Sequence, residues 1–325
     1  MPQRPTDPPR RMPPQLVADI GGTNTRLALA DAGVLRAHSI CRYRNAGYSD
    51  FAALLGAYLA TQVPGDCGGV CIAVAGPVRE GAVRMTNLGW ELTREAIARQ
   101  TGSDRVQFLN DLQAQGLALD GLDSRQQQTL LPAPAAPEAS SRLVVGIGTG
   151  VNAAPGHRHA GRLFVPPSEC GHIHLPRHDP EEGALADWLA ARHGIGTVEE
   201  ALSGRGLAAI HRFHGHGDTT PEAIVAAIHT GKPEAMQTGA LYTGLLGRVL
   251  ADLALIHLPF GGIWLIGGTA RAIAPHLAGF GLARHFRAMG RQAPLMDAFA
   301  VHLLDDDFAA LLGCALWLTA DTLAP

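Results

Sequence analysis

The chain contains the same combination of strand, glycine turn and hydroxyl side chain twice. Residues 16–30 read LVADIGGTNTRLALA and residues 143–156 read LVVGIGTGVNAAPG, so both stretches turn between two apolar runs. A glycine-rich hairpin can direct successive backbone N–H groups at an anion without a lysine. Each turn alone is also typical of an ordinary tight β-turn. The two matched copies favour a site that holds a polyphosphate from two sides.

Short apolar runs alternate with longer helical patterns along the whole chain. This alternation predicts an α/β architecture with mixed or parallel sheets. A Pro/Ala/Ser-rich stretch at 129–141 predicts a loop before the second glycine-turn strand. The predicted strands are 16–20, 25–30, 34–43, 68–76, 106–110, 142–148, 162–166 and 261–268. The predicted helices are 48–62, 91–102, 111–122, 181–194, 197–215, 220–231, 233–258 and 307–323.

The composition limits the partners and the kind of phosphate site. A net charge of −3 supplies no basic field, so we expect neither a nucleic-acid nor a membrane partner. Lysine occurs once, at Lys232, and outside any Walker A loop. The five cysteines have no paired spacing, and residues 1–14 form a charged, proline-rich tail without an apolar segment. These features predict a cytoplasmic protein.

Asn110 and Asp111 follow the predicted strand 106–110 and precede a helix. Asp111 is a natural N-cap for that helix. Ligands of α/β sheets also bind at the carboxyl ends of strands, where a carboxylate can accept a proton from a substrate hydroxyl. Both interpretations of Asp111 stay open on the residues alone.

A second polar group lies in PPSECGHIHLP. His172 and His174 would share one face of a strand there, and with His178 they resemble a metal-ligand spacing. With 15 histidines, however, chance clusters are expected, and no paired thiols support zinc. The other use of Glu169 and His172 is hydrogen bonding to polyol hydroxyls, which we favour. Further on, Glu199 begins a predicted helix, where a solvated helix start is the alternative.

Taken in order, these motifs resemble bacterial glucokinases of the hexokinase-like type, within the actin/Hsp70/sugar-kinase superfamily. The resemblance runs from about Leu16 to the C-terminal helix. It rests on DIGGTNTRLAL, CIAVAGPV, MTNLGW, FLNDLQAQ, GIGTG, ECGH, ALSGRGL and GGIWLIGG. It implies a two-domain actin/hexokinase-like (ribonuclease H-like) α/β fold with a cleft between a small and a large domain. The implied parts are a flexible tail 1–14, a small domain 15–109 completed by a helix at about 307–325, and a large domain 110–306.

The resemblance also implies the activity and its residues. The implied reaction is ATP-dependent phosphorylation of the glucose 6-hydroxyl with Mg²⁺, by a cytoplasmic homodimer. Asp111 would be the general base, and Asp19 would contact Mg²⁺ through water. The implied sugar ligands are Asn110, Asp111, Glu169, His172 and Glu199. The implied ATP and phosphate contacts are Gly21, Gly22, Thr23, Asn24, Thr149, Gly150, Gly267 and Gly268.

Three residues depart from the motifs of that family. The family's second hairpin continues G-T-G-L-G, and Asn152 replaces the last glycine of that motif. If the position needs a positive φ, asparagine is the least costly residue other than glycine. Cys170 replaces a glycine of E-G-G-H and would add a thiol beside the sugar. Arg205 replaces the proline of L-S-G-P-G-L and could loosen that turn. These departures motivate an alternative, a catalytically weak sugar-sensing paralogue. A metal-dependent hydrolase that uses the histidine clusters is a third hypothesis.

Overall fold

The computed structural model describes residues 12–62, 65–76, 82–85, 88–122, 126–159 and 162–322. The chain divides into two compact units. Unit 1 comprises Met1–Gly121 and Phe308–Pro325, and unit 2 comprises Leu122–Asp307. Most of the predicted tail, residues 1–11, lies outside the described residues, as do residues 77–78 and 86–87 of the quoted motifs.

Unit 1 is built on a six-stranded sheet with the order β3-β2-β1-β5-β8, in which β4 also pairs with β2. A separate two-stranded sheet joins β6 and β7. The strands are β1 Gln15–Ile20, β2 Asn24–Asp31, β3 Val34–Leu35, β4 Cys41–Arg44, β5 Gly69–Val74, β6 Ala82–Met85, β7 Trp90–Thr93 and β8 Val106–Asn110. The helices are α1 Phe51–Gln62, α2 Arg94–Thr101, α3 Asp111–Ala118 and, from the end of the chain, α12 Ala309–Thr322.

Unit 2 contains a second six-stranded sheet, with the order β12-β11-β10-β13-β14-β9. Its strands are β9 Gln127–Leu131, β10 Arg142–Ile147, β11 Val151–His159, β12 Arg162–Phe164, β13 Ile263–Ile266 and β14 Val301–Leu304. Its helices are α4 Pro180–His193, α5 Val198–Leu202, α6 Gly204–Phe213, α7 Pro221–His229, α8 Pro233–His257, α9 Gly268–Leu277, α10 Leu282–Arg287 and α11 Ala293–Met296.

The two sheets repeat one pattern of pairing. In unit 1, β1 pairs with β2 as an antiparallel hairpin and with β5 in parallel, and β5 pairs in parallel with β8. In unit 2, β10 pairs with β11 as a hairpin and with β13 in parallel, and β13 pairs in parallel with β14. The repeated glycine-turn motif of the sequence therefore corresponds to equivalent hairpins of two similarly connected sheets.

The central strands are apolar because both faces of each sheet are covered. The side chains of β5 are buried along its whole length, as are those of β13. This is the pattern expected of parallel strands between helices. Helix α8 is long and apolar enough to span a membrane by length and composition, but 72% of its most apolar window is buried inside the protein. It belongs to the core of unit 2.

Several predicted elements have different bounds in the structure. The predicted helix 197–215 is two helices, because Ser203 has an extended backbone and its side chain caps α6. The predicted strand 34–43 is interrupted by a 3-10 turn at Ala37–Ser39, where the buried Ser39 hydroxyl accepts a hydrogen bond from Leu29 N at 2.9 Å. The predicted loop 129–141 begins inside β9.

Candidate active site

The polar residues of unit 1 lie at the carboxyl edge of its sheet. Ile20, Val74 and Asn110 occupy one row across the parallel strands β1, β5 and β8. The turn Gly21–Thr23 follows β1 directly, and Asp111 follows β8. The first glycine hairpin and the Asn110–Asp111 pair, which are far apart in sequence, therefore belong to one edge. This is the edge at which open α/β sheets bind ligands.

Asn110, and not Asp111, caps helix α3. The Oδ1 atom of Asn110 accepts from Leu112 N at 3.0 Å, and Gln113 Oε1 accepts from Asn110 N at 3.1 Å, which completes a capping box. The prediction of Asp111 as the N-cap is therefore wrong. Asp111 is the first helical residue, and its Oδ1 accepts from Leu112 N at 2.9 Å. The capping box fixes the path of the chain into the helix and with it the half-buried carboxylate of Asp111.

Asn45, which the sequence did not identify, holds the first hairpin turn from behind. It is 2% exposed, donates from Nδ2 to Gly21 O at 2.8 Å and from its backbone N to Thr23 O at 3.0 Å. Its Oδ1 accepts from the Thr25 hydroxyl at 2.8 Å. Thr25, the second residue of β2, is fully buried, whereas Gly22 and Thr23 are exposed. No local pattern in RYRNAGY distinguishes this asparagine.

Asp19 lies in β1, just before the turn. Its Oδ2 pairs with Arg26 Nη1 at 3.1 Å across the hairpin, and both side chains are largely buried. Magnesium sites in phosphoryl-transfer enzymes commonly use one or two carboxylates, with nucleotide phosphates and waters completing the shell. The Asp19 carboxylate is the kind of group that such an ion binds through water.

The second hairpin turn, Gly148–Gly150, is also held by neighbouring segments. Gly148 O accepts from Gly204 N at 2.8 Å and from the Thr269 hydroxyl at 3.1 Å. Thr149, at the tip, is exposed. Sequence reasoning missed Thr269, although it directly follows the last glycine of GGIWLIGG. Its side chain fixes the turn, as Asn45 does in unit 1.

Gly267 and Gly268 lie beside this turn, because Gly146 of β10 pairs in register with Ile266 of β13. Gly267 has a φ of 108°, and a Cβ there would lie 2.5 Å from Ile147 O. Only glycine fits both conditions. Gly268 begins helix α9, and a Cβ at that position would meet open space. The carboxyl edge of the second sheet therefore presents a turn and a helix start side by side.

The Glu199 carboxylate is bound by donors on both oxygens. Its Oε2 accepts from Val151 N at 3.0 Å, and its Oε1 accepts from Arg205 Nη2 at 2.5 Å. A Cβ on Gly150 would lie 2.6 Å from Oε2, so glycine at that position leaves room for the carboxylate. Glu199 is thus a fixed group beside the second hairpin rather than a solvated helix start.

Glu169 and His172 lie on a short turn, not on a strand. Cys170–His172 forms a 3-10 turn, and His172 N donates to Glu169 O at 3.1 Å. The prediction that His172 and His174 share a strand face is wrong; His174 forms an isolated bridge with Thr197. Both Glu169 and His172 are exposed and open to a ligand. Among the residues that the structure describes, no group of three or more His, Cys, Asp or Glu side chains could hold a metal ion.

The three departures from the family motifs have specific environments. Asn152 lies in β11 opposite Gly146, and its φ is not positive, so the condition under which asparagine was expected there does not hold. Cys170 packs against the core of unit 2, and burial raises the pKa of its thiol. Its side chain is therefore partly buried against that core. Arg205 contacts Glu199 and also Glu200, at 3.4 Å.

Within unit 1, the structure therefore brings the first hairpin turn to the same sheet edge as the candidate base. Within unit 2, it brings the second hairpin turn next to the other candidate ligands. The unit 1 group is Asp19, Gly21, Gly22, Thr23, Asn24, Asn110 and Asp111. The unit 2 group is Thr149, Gly150, Glu169, His172, Glu199, Gly267 and Gly268.

Comparison with protein families and curated proteins gives a consistent result. The family model for glucokinase matches residues 16–321. The glucokinase of Chromohalobacter salexigens is 32% identical over 303 residues, which cover 89% of this chain and 91% of that protein. The glucokinase of Saccharophagus degradans is 29% identical over 318 residues, 94% of this chain and 98% of its own.

Solved structures share the fold. The crystal structure of glucokinase from an Antarctic psychrotroph superposes with a TM-score of 0.84 at 29% identity, covering 94% of this chain and 99% of that one. A ROK family glucokinase from Streptomyces griseus, in complex with glucose and AMPPNP, gives 0.60 at 19% identity, with 93% and 98% covered. At that identity the likeness concerns the fold alone. The predicted actin/hexokinase-like α/β fold class is confirmed.

Proposed function

Because this chain belongs to the glucokinase family, we propose that it transfers the γ-phosphoryl group of ATP to the 6-hydroxyl of glucose, with Asp111 as the general base. The observation that supports this assignment is the position of Asp111 at the carboxyl edge of the first sheet, on the edge that also carries the turn Gly21–Thr23. Phosphoryl transfer needs a positioned nucleophile and stabilised charge more than covalent chemistry.

In the proposed reaction, Asp111 accepts the proton of the sugar 6-hydroxyl. The oxygen of that hydroxyl attacks the γ-phosphorus in line with the leaving group. The bond from the γ-phosphorus to the bridging β,γ-oxygen breaks, and ADP leaves. The products are glucose 6-phosphate and ADP, and the proton passes from Asp111 to solvent. The capping box of Asn110 and Gln113 holds the base in place for this step.

The sugar is held by polar side chains matched to its hydroxyls. We assign Asn110 and Asp111 to the reacting end of the sugar, and Glu169, His172 and Glu199 to the other ring hydroxyls. Carboxylates accept hydrogen bonds from hydroxyls, and an imidazole or amide can donate to them. A site built in this way rejects analogues that lack a hydroxyl, because a binding group then stays unpaired.

The nucleotide is assigned to the two glycine turns and the start of α9. Backbone N–H groups of glycine turns and helix starts can bind phosphate oxygens without lysine. The proposed contacts are Gly21, Gly22, Thr23, Asn24, Thr149, Gly150, Gly267 and Gly268. Asp19 would hold Mg²⁺ through water, and the ion would neutralise phosphate charge. The proposal includes a homodimer in the cytoplasm. Sedimentation of the purified protein tests whether it is a dimer.

The test is the formation of sugar 6-phosphate by the purified protein with MgATP. Glucose, mannose, fructose and N-acetylglucosamine are compared at equal concentrations. The proposal predicts clear turnover with glucose. A glucose-dependent rise in the melting temperature without product would instead favour the sugar-sensing paralogue, and silence in both assays would contradict glucose as the ligand.

A further inference from the structure

The side chain of Asn152, in strand β11, is hydrogen-bonded to the turn that carries Glu169, and Asn152 is a departure from the family motif. We propose that Asn152 is a positioning residue for sugar binding, which fixes the Glu169–His172 turn by holding the backbone on both sides of Glu169. This inference rests on the proposed function of that turn. It gives Asn152 a role that neither its place in a strand nor the motif it interrupts indicates.

The contacts enclose Glu169 from both directions. Asn152 Nδ2 donates to Ser168 O at 2.5 Å, and Asn152 Oδ1 accepts from Cys170 N at 3.0 Å. The same Oδ1 accepts from Ala153 N at 2.8 Å, which orients the amide relative to its own strand. The side chain therefore pairs with the residue before Glu169 and the residue after it, as a neighbouring β-strand would.

The direction of the amide is fixed by chemistry. Ser168 O is a carbonyl and can only accept, whereas Cys170 N–H can only donate. The amide must therefore place its nitrogen towards Ser168 and its oxygen towards Cys170. Aspartate, leucine or glycine at this position could not make both contacts, so the two-point attachment is specific to asparagine among side chains of this length.

Val151, the residue before Asn152, also contacts the turn. A Cβ on Gly171 would lie 1.8 Å from Val151 O, so the turn presses directly on the backbone of β11. Val151 N donates to Glu199 Oε2 at 3.0 Å. Two consecutive residues, Val151 and Asn152, thus contact both segments that carry the proposed sugar ligands of unit 2. Small errors in the placement of such ligands reduce binding steeply.

The decisive variant is Asn152→Asp, which keeps the shape and the acceptor for Cys170 N but replaces the donor with an oxygen that faces Ser168 O. Asn152→Ala removes both contacts. We expect each variant to raise the glucose KM about tenfold, since a lost hydrogen bond between held groups has an effect of that order. We expect kcat and the ATP KM to change little, because the hydrogen bonds of the Asn152 side chain involve Ser168, Ala153 and Cys170, and none of these is a proposed ATP contact. The melting temperature should fall by only a few degrees, as expected for the loss of one or two hydrogen bonds.

Hydrogen exchange of the 168–172 segment provides a readout without any ligand. Asn152→Ala should accelerate amide exchange at Cys170, whose remaining partner is the Ser168 hydroxyl at 3.3 Å. Asn152→Asp keeps an acceptor for Cys170 N and should accelerate exchange less. Gln128→Glu, on an exposed position of β9, controls for the added negative charge in the same unit and should leave exchange and KM unchanged.

Three results would overturn the inference. Unchanged exchange would mean that Asn152 does not hold the turn. Faster exchange with an unchanged glucose KM would mean that the turn is held for the fold alone. Parallel losses in kcat, both KM values and the melting temperature would indicate a general structural role. If the wild-type protein phosphorylates no sugar, the proposed function fails and the positioning of sugar fails with it, while exchange separately reports whether Asn152 holds the turn.

Discussion

At the scale of single residues, the hydrogen-bond donors around Glu199 require a carboxylate at that position. Its two oxygens accept hydrogen bonds from Val151 N and from Arg205, and both partners are donors. A carboxylate satisfies two donors at once, whereas an amide offers one oxygen. Arg205, which replaces a proline of the family motif, therefore adds a contact to a proposed sugar ligand.

We predict that Glu199→Gln raises the glucose KM by about tenfold or more, because either orientation of the amide leaves an N–H group facing a donor. The matched control is Glu200→Gln. Glu200 is the next residue of the same helix and makes longer contacts, with Arg205 at 3.4 Å and with His193 at 3.5 Å. Steady-state kinetics with varied glucose measures both. Equal effects of the two substitutions would contradict a specific role for Glu199.

At the scale of elements, helix α3 is positioned by helix α12. Asp111 begins α3, and α12 packs against α3 as well as against β1 and β5. The contact is closest at Gly313, where a Cβ would lie 1.7 Å from Ala114 O. The backbones of the two helices therefore approach each other directly, and the carboxylate of Asp111 depends on a helix from the end of the chain.

We predict that Gly313→Ala lowers the free energy of unfolding by ~3 kcal/mol, because backbone atoms must move apart. It should also lower kcat by displacing α3. Gly183→Ala is the matched control in helix α4, where a Cβ meets nothing within 4 Å. That substitution should raise the free energy of unfolding by roughly 0.5–1 kcal/mol, because alanine has fewer backbone conformations than glycine in the unfolded chain. Urea denaturation measures both; a neutral Gly313→Ala would contradict the close packing.

Helices α6 and α8 are joined by a buried histidine, which predicts a pH dependence. His211 Nδ1 lies 2.9 Å from the Thr238 hydroxyl. Burial lowers the pKa of His211 from 6.5; the charges of His216 and His214 act in the same direction, and Glu234 opposes them. The folded state therefore favours the neutral ring. As the pH falls below 6.5, the unfolded chain binds a proton first and stability decreases.

His211→Gln should remove this part of the pH dependence. We expect the free energy of unfolding of the wild type to fall more steeply below pH ~6.5 than that of the variant. Urea denaturation at several pH values compares the slopes. Identical slopes would mean that His211 titrates alike in both states. Other histidines whose pKa is lowered contribute equally to both proteins; they are His257, His285 and His302.

The elements that the sequence predicted well are those with a local signal. The hairpin strands β1, β2 and β10 are apolar and flank glycine turns, and β8 ends in Asn110–Asp111. Strand β11 was missed because VNAAPGHRH has no alternation of apolar residues; it exists through pairing with β10 and β12. Helix α9 was missed because it starts with glycine and contains Pro275.

The residues of the candidate site that belong to a motif could be predicted from the sequence. The residues that act through contacts between segments distant in sequence could not. Asp111, Glu169 and Glu199 stand in recognisable motifs. Asn45 contacts a turn 24 residues away, and Asn152 contacts a turn 16 residues away. Such contacts are decided by sheet register and by the path of a loop. A single sequence carries no local signal for them.

At the scale of the whole molecule, the chain uses one pattern of strand pairing twice, and the sequence of unit 1 is interrupted once, by unit 2. Each unit has a hairpin whose first strand pairs in parallel with later strands, and each places its glycine turn at the carboxyl edge of its sheet. Unit 1 is closed by α12 from the end of the chain, so its core contains residues separated by most of the sequence. The repeated motif in the sequence is the local sign of this repeated architecture.

The central claim is that this molecule is a hexose kinase whose base is Asp111, and Asp111→Asn tests it most directly. Asparagine keeps the shape of the side chain and an acceptor for Leu112 N, but it cannot take a proton. Turnover of glucose with MgATP should fall by roughly a hundredfold or more, while calorimetric glucose binding stays within about twofold. Asp104→Asn, at an exposed position of the same unit, should retain full activity. Turnover of Asp111→Asn equal to that of the wild type would contradict the account.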